Sequence, residues 1–160
     1  MAKEEIKVGS RAPDFNLISN TGTAIHLSDY YHKSNIVLYF MREFTWNQCH
    51  QHALQLGRAY EKLQAQDTEV LIIGGGEVKD AERVARMFEL PFPILADPDR
   101  KIYDFYGLEK VLWMVQRSAT VLVNKERIVQ YIHRSIKPHD SLNIAELMEQ
   151  VAVNSWSKVG

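Results

Sequence analysis

Cys49 is the only cysteine in the chain, and it stands where a thiol can be made reactive. Ahead of it runs Ile36-Val37-Leu38-Tyr39-Phe40-Met41, an unbroken apolar stretch of the kind that forms strands buried on both faces. From Cys49 onward, Ala53, Leu56, Tyr60 and Leu63 recur at helical spacing. The pattern predicts strand, turn and helix, with Cys49 in the first helical turn and partly accessible. Unpaired N–H groups and the positive end of the helix dipole favour a thiolate there, and the thiolate is the nucleophile. A lone cysteine on the apolar face of a helix is also an ordinary small core residue, so a purely structural Cys49 fits the same stretch.

Other constellations point to less chemistry. Cys49-His50-Gln51-His52 puts Cys49 and His52 one helical turn apart, but two ligands do not make a zinc site, and the histidines read as polar-face residues. Gly74-Gly75-Gly76 lies between a strand and a helix. Lys79 occupies the place of the third glycine in a dinucleotide loop, so these glycines read as a βα turn. No cofactor and no metal are expected. With no C-x-x-C, dithiol exchange within one chain is excluded.

The elements that must position Cys49 follow from the rest of the chain. Arg11 to Leu17 is extended because Pro13 biases Ala12 away from helix, and Ala24 to Leu27 can pair back across the turn at Ser19 to Gly22. Leu27-Ser28-Asp29-Tyr30 opens a short helical turn. Glu69 to Ile73 reads as a second buried strand, followed by a helix over about 77–89 with Ala81, Val84, Ala85 and Phe88 inside. Leu90 to Leu95 reads as an extended connector or edge strand, where prolines are tolerated. Asp97 is placed to cap a short helix with Pro98 at its first position and Gly107 at its end. Ala119 to Val123 and Ile128 to Ile132 form a hairpin. A last helix from near Asp140 buries Ile144, Leu147, Met148 and Val151, with fraying after about Ala152.

Composition bounds the class. A chain of 160 residues, 46% hydrophobic and 24% charged, suits a single α/β domain spanning residues 1–160. A net charge of −1 gives no electrostatic case for nucleic acid or an anionic membrane as partner. The apolar runs are too short to cross a bilayer, and the charged start Met1-Ala2-Lys3-Glu4-Glu5 resembles no export signal. One cysteine without a disulfide partner suits a reducing cytoplasm.

Five stretches together resemble the peroxiredoxins of the alkyl hydroperoxide reductase and thiol-specific antioxidant superfamily. Val8 to Leu17 is similar to the opening G-x-x-A-P-D-F-x-L. Leu27 to Tyr30 is similar to the next signature. Val37 to Phe40 followed by Cys49 resembles the strand before the peroxidatic cysteine. Leu90 to Arg100, ending in Tyr106-Gly107, resembles the middle section, and Arg117 ahead of Ala119 to Val123 matches the second-site arginine. The resemblance implies a thioredoxin-like fold, a central mixed sheet flanked by helices on both faces. The absence of proline between Asp99 and Lys137 sets the chain apart from thioredoxins and glutaredoxins.

The active-site pattern P-x-x-x-T-x-x-C is departed from. Arg42 stands at the proline position and Trp46 at the threonine position, Thr45 falls one residue early, and His52 replaces the acidic or amide residue after the cysteine. Arg42, Phe44 and Cys49 fit a divergent R-x-F-x-C-x-x-C branch, with Trp46 in place of its first cysteine. The resemblance implies a one-cysteine thiol peroxidase in which Cys49 attacks a peroxide, a nearby guanidinium, that of Arg117 with Arg42 as a second candidate, supplies charge and fixed donors, and Thr45 supplies the hydroxyl if the turn slips by one. The sulfenic acid formed on Cys49 is then reduced by an external thiol, either a small thiol or a thioredoxin-class protein. The apolar loop Val111-Leu112-Trp113-Met114-Val115 is a candidate contact surface for a homodimer, or else folds back on the core. Two rivals stay open: a non-enzymatic binding protein, and a redox sensor in which oxidation of Cys49 alters a partner contact.

Indole carries one donor and no acceptor and is far bulkier than threonine, so Trp46 is expected to hold activity down. W46T should raise the second-order rate with hydrogen peroxide. A folded W46T protein that reacts no faster removes Trp46 as the limiting residue.

Overall fold

The computed structural model describes residues 6–44, 47–110, 116–135 and 140–156. The chain runs β1 (Asn16–Ser19), β2 (Ala24–His26), a 3-10 turn (Leu27–Tyr30), β3 (Asn35–Phe40), α1 (Asn47–Gln64), β4 (Thr68–Gly74), α2 (Val78–Phe88), β5 (Ile94–Ala96), α3 (Lys101–Phe105), β6 (Ser118–Val123), β7 (Val129–Ser135) and α4 (Ile144–Trp156). The strands form one mixed sheet in the order β2-β1-β5-β4-β3-β6-β7. β3, the apolar run ahead of Cys49, is central. It pairs in parallel with β4 from Asn35↔Thr68 to Phe40↔Ile73, and antiparallel with β6 from Ile36↔Val123 to Phe40↔Ala119.

Every residue of β3 is buried because the sheet is covered on both sides. Val37, Tyr39 and Met41 face a core shared with Cys49, Ala53 and Leu56 of α1, Ala81 and Val84 of α2, and Leu147 and Val151 of α4. Ile36, Leu38 and Phe40 face the opposite core, built with Phe15, Leu17, Ile102, Tyr103 and Tyr106. The period of two along a strand sorts the side chains between these cores. This is the thioredoxin-like plan, with a parallel β3-α1-β4 unit and a closing β6-β7 hairpin. No helix among the described residues is long and apolar enough to cross a membrane.

The order of elements matches the sequence-based expectation, and three elements differ in place or extent. β5 is not an edge strand. It pairs with β4 on one side and β1 on the other, and the prolines fall outside it, with the Pro93 carbonyl accepting from the Ile72 N–H. α3 starts at Lys101 rather than Pro98, because Arg100 turns the chain with φ 56°. Asp97 still caps, accepting the Ile102 N–H at 2.9 Å. α4 starts at Ile144, later than the expected start near Asp140, and stays helical to Trp156, past the point where fraying was expected.

The three glycines after β4 are a steric requirement. A Cβ on Gly74 would stand 2.2 Å from the buried Phe44 ring, one on Gly75 2.5 Å from Cζ of Arg100, and one on Gly76 2.8 Å from Phe44 Cδ2. The βα turn is thus the floor on which the residues leading to Cys49 rest. By contrast, a Cβ on Gly57 within α1 would meet Leu90 at an ordinary 3.5 Å. G74A should therefore lower the denaturation free energy by about 1–3 kcal/mol, whereas G57A should raise it by about 0.5–1 kcal/mol. Denaturant midpoints check both. A G74A protein as stable as the parent shows that Phe44 moves aside freely.

Candidate active site

The site begins where β3 ends. The Met41 N–H continues the ladder to the Ile73 carbonyl, and then the chain leaves the sheet. The Tyr103 hydroxyl, fully buried, donates to the carbonyls of Met41 (2.5 Å) and Ile73 (3.0 Å), holding the exit point of β3 against that of β4. Burial, opposed by the charge of Arg100, drives the Tyr103 phenol well above its ordinary value, so it stays a donor.

Arg100 fastens the turn from outside. Its fork donates to the Glu43 carboxylate at 2.6 Å, the Gln116 side-chain oxygen at 2.9 Å, and the carbonyls of Arg42 and Gly75, each at 3.4 Å. One planar guanidinium thereby ties the turn before Cys49 to the glycine floor and to the residue preceding Arg117. Phe44 lies buried over that floor, and its carbonyl makes a short hydrogen bond with Nε2 of His50.

Cys49 sits in the first turn of α1, as expected. Its sulfur is completely buried, where partial access was expected. The correction has a physical reason: Cys49 lies on the same face of α1 as Ala53 and Leu56, and that face is pressed onto the core against β3. It is not a sulfur in purely apolar surroundings. The Arg42 backbone N–H donates to Sγ at 3.3 Å. A proline in that position has no N–H to give, so the departure from the resembled pattern supplies a donor aimed at the sulfur. The Arg42 side chain is also buried. Burial pulls its guanidinium below its ordinary value, while negative charge at Cys49 and Tyr39 acts to raise it.

His52 is not the polar-face residue that the sequence suggested. It is buried, with Nδ1 2.7 Å from the Tyr39 hydroxyl. Tyr39 comes from the middle of β3, in the core shared with Cys49, and its phenol interacts electrostatically with Cys49 and Ser141. Burial first, then charge at Cys49, pushes the Tyr39 phenol well above its usual value. Ser141 in turn makes a short contact with the Ser118 hydroxyl, and its carbonyl accepts from Thr120 Oγ1 at 2.8 Å. The outcome is a polar nest inside an apolar core, a low-dielectric setting in which each hydrogen bond and charge counts for more. One signal for it was available: His52 is three residues after Cys49, on the helix face that must be buried.

The other expected site residues are placed as follows. The β3-β6 register brings the chain at Arg117 to the end of the sheet where the Cys49 turn lies. Arg117 is half-buried and donates from Nη1 to the Gly107 carbonyl at 3.3 Å, so the guanidinium engaged electrostatically with Cys49 is that of Arg42. Thr45, Trp46 and the apolar stretch 111–115 lie outside the described residues.

With this geometry in view, comparison with known proteins places the chain. The AhpC/TSA family model matches residues 8–132, and the protein belongs to that family. It is 27% identical over 132 residues to a chloroplastic peroxiredoxin Q of Oryza sativa subsp. japonica, covering 82% of this chain and 60% of that protein. Peroxiredoxin Bcp of Bacillus subtilis is 27% identical over 150 residues, with 90% and 94% covered. The thiol-disulfide oxidoreductase ResA of Geobacillus thermodenitrificans is 32% identical over 146 residues, with 85% and 82% covered. Among solved structures, peroxidoxin BcpB of Mycobacterium tuberculosis superposes with a TM-score of 0.84 at 19% identity, covering 93% of this chain and 98% of that one. This superposition bears on the fold. The chain spans about 60% of the length of the plant peroxiredoxin Q proteins it matches.

Replacing Arg100 by Lys keeps the charge but loses the fork, and should cost about 1–3 kcal/mol of stability. E43Q should cost about 0–1 kcal/mol, since Glu43 is partly exposed. Urea unfolding of both variants decides the matter. Equal midpoints for R100K and the parent show that the other contacts hold the turn without Arg100.

Proposed function

We propose that the protein is a one-cysteine thiol peroxidase reducing hydrogen peroxide or small organic hydroperoxides, with Cys49 as the attacking residue. The observation that carries this reading is the Arg42 N–H directed at Sγ of a cysteine in the first turn of α1, with the Arg42 guanidinium buried in the same site. A purely packing cysteine has no use for a converging donor and cation. The thiolate attacks one peroxide oxygen, the S–O bond forms as the O–O bond breaks, and the departing oxyanion takes a proton. Sulfur is oxidised by two electrons to the sulfenic acid.

The chain has one cysteine, so no second thiol of its own resolves this intermediate. An external thiol condenses with it, releasing water, and a further thiol frees Cys49. The reductant is a small thiol or a thioredoxin-class protein in a reducing cytoplasm. With one cysteine, this chain has no dithiol of its own for a thiol-disulfide exchange. Arg117 is proposed to add charge where the departing oxygen develops it, and Thr45 to supply a hydroxyl to the peroxide. Homodimerisation through 111–115 belongs to the same proposal. With the sulfur fully buried, the observed rate includes the loosening of packing that admits the peroxide.

Stopped-flow measurement of the second-order rate with hydrogen peroxide tests the reading. Cys49 should react far faster than a free thiol, C49S should not react, and R117A should be slowed about 10- to 100-fold, as for loss of a group that stabilises developing charge. A wild-type rate equal to that of a free thiol removes the peroxidase assignment. An unchanged R117A rate removes Arg117 alone.

A further inference from the structure

A thiolate attacking a peroxide leaves negative charge on the departing oxygen, and Arg117 can meet that charge only at a set distance from Cys49. The two groups reach the site on different segments: Cys49 follows the turn after β3, and Arg117 precedes β6. The β3-β6 ladder aligns those strands as far as Phe40↔Ala119, and so ends before either segment. The Arg100 side chain spans the gap beyond it. On the Cys49 side its guanidinium donates to Glu43 Oε1 at 2.6 Å and to the Arg42 carbonyl at 3.4 Å. On the other side it donates to Gln116 Oε1 at 2.9 Å. Gln116 is buried, and its amide nitrogen donates to the carbonyls of Leu108 and Arg117, the latter at 3.2 Å. Arg117 itself donates to the Gly107 carbonyl at 3.3 Å. Arg100 is steadied in turn by Tyr103, with Cζ 5.4 Å from the centre of the ring whose hydroxyl holds the end of β3.

Resting on the reading of Cys49 as the reacting thiol and Arg117 as the cation at the departing oxygen, we propose that Arg100 and Gln116 are positioning residues. Together they form a brace that fixes the separation between Arg117 and the Cys49 turn. The backbone marks the position as well. Arg100 has φ 56° and ψ 26°, a left-handed conformation that glycine adopts freely and arginine only at a cost. Strain of that kind persists where surrounding contacts impose it, and here one fork makes four. Gly75 completes the arrangement, because a Cβ there would lie 2.5 Å from Cζ of Arg100 and 2.8 Å from its Nε and Nη1. Loosening the brace leaves Cys49 and Arg117 in the chain but lets their separation drift. A displacement of about 1 Å can cost up to about 100-fold in rate. No proton or electron passes through the brace; it acts through geometry alone.

Two variants dislodge the fork by different routes. R100G removes the guanidinium and gives the backbone the residue it favours. G75A keeps Arg100 but puts a methyl group where its guanidinium lies. The readout is the second-order rate with hydrogen peroxide divided by the rate with iodoacetamide. Iodoacetamide alkylates the same sulfur without a developing oxyanion, so a change in the exposure of the sulfur cancels in the ratio. R100G and G75A should each lower the ratio about tenfold. Q116A, which parts Arg117 from the fork, should match them. R100G/G75A should be no lower than R100G, and R100G/R117A no lower than R117A, as for groups acting as a unit. A ratio equal to the parent's in R100G, G75A or Q116A overturns the brace, as does an R100G loss that persists in full beside R117A. If R100G does not fold, G75A and Q116A decide alone. If R117A reacts as fast as the parent, there is no cation to position, and the brace falls while the peroxidase stands. A parent rate with peroxide no faster than that of a free thiol removes the peroxidase reading and the brace with it.

Discussion

The architecture turns on one constraint: a sulfur sealed in an apolar core must have any charge it carries steadied by fixed protein groups. In water that task falls to solvent. At Cys49 it falls to the Arg42 N–H at 3.3 Å and the Arg42 guanidinium, with the hydrogen-bonded Tyr39–His52 pair packed in the same core. Each is held by an element with its own reason to be rigid. Tyr39 is anchored in the central strand between two partners. Arg42 follows a strand exit tied down by Tyr103. Groups fixed before charge develops need no reorganisation when it does.

The same constraint explains why so much of the surrounding structure serves a short turn. Arg100 reaches Glu43, Gln116 and the carbonyls of Arg42 and Gly75, and can do so only because residue 75 lacks a side chain. Phe44 occupies the space above Gly74 and Gly76. The glycines that superficially suggest a nucleotide loop are thus the seat of the turn that presents Cys49. Their smallness is used by protein atoms, the Phe44 ring and the Arg100 guanidinium.

The departures from the family's active-site pattern look damaging one at a time and coherent together. Substituting arginine for proline brings a backbone donor and a cation to the sulfur. Placing histidine after the cysteine puts a base beside Tyr39, within the same buried nest. Both changes place polar groups in the core that holds the thiol.

How much was legible in the sequence follows from the range of the forces involved. The β3 run, the α1 stripe and the position of Cys49 in the first helical turn depend on local periodicity and end effects, which neighbouring residues determine. The family likeness, spread over short motifs from Val8 to Arg117, extended that to the whole sheet. What sequence alone left undecided are the long-range pairings. Cys49 is buried rather than partly open because α1 is pressed onto β3, a matter of packing between elements. Leu90 to Leu95 read as an edge because its prolines forbid a ladder, and only the arrival of β1 showed that the short strand beyond them is interior. His52 read as polar because histidine usually is. Its burial depended on Tyr39 standing opposite, and Tyr39 was hidden in a run that looked merely apolar. Likewise, the Arg42 N–H meets the sulfur because the backbone turns there, and no spacing in the chain encodes the direction of that turn.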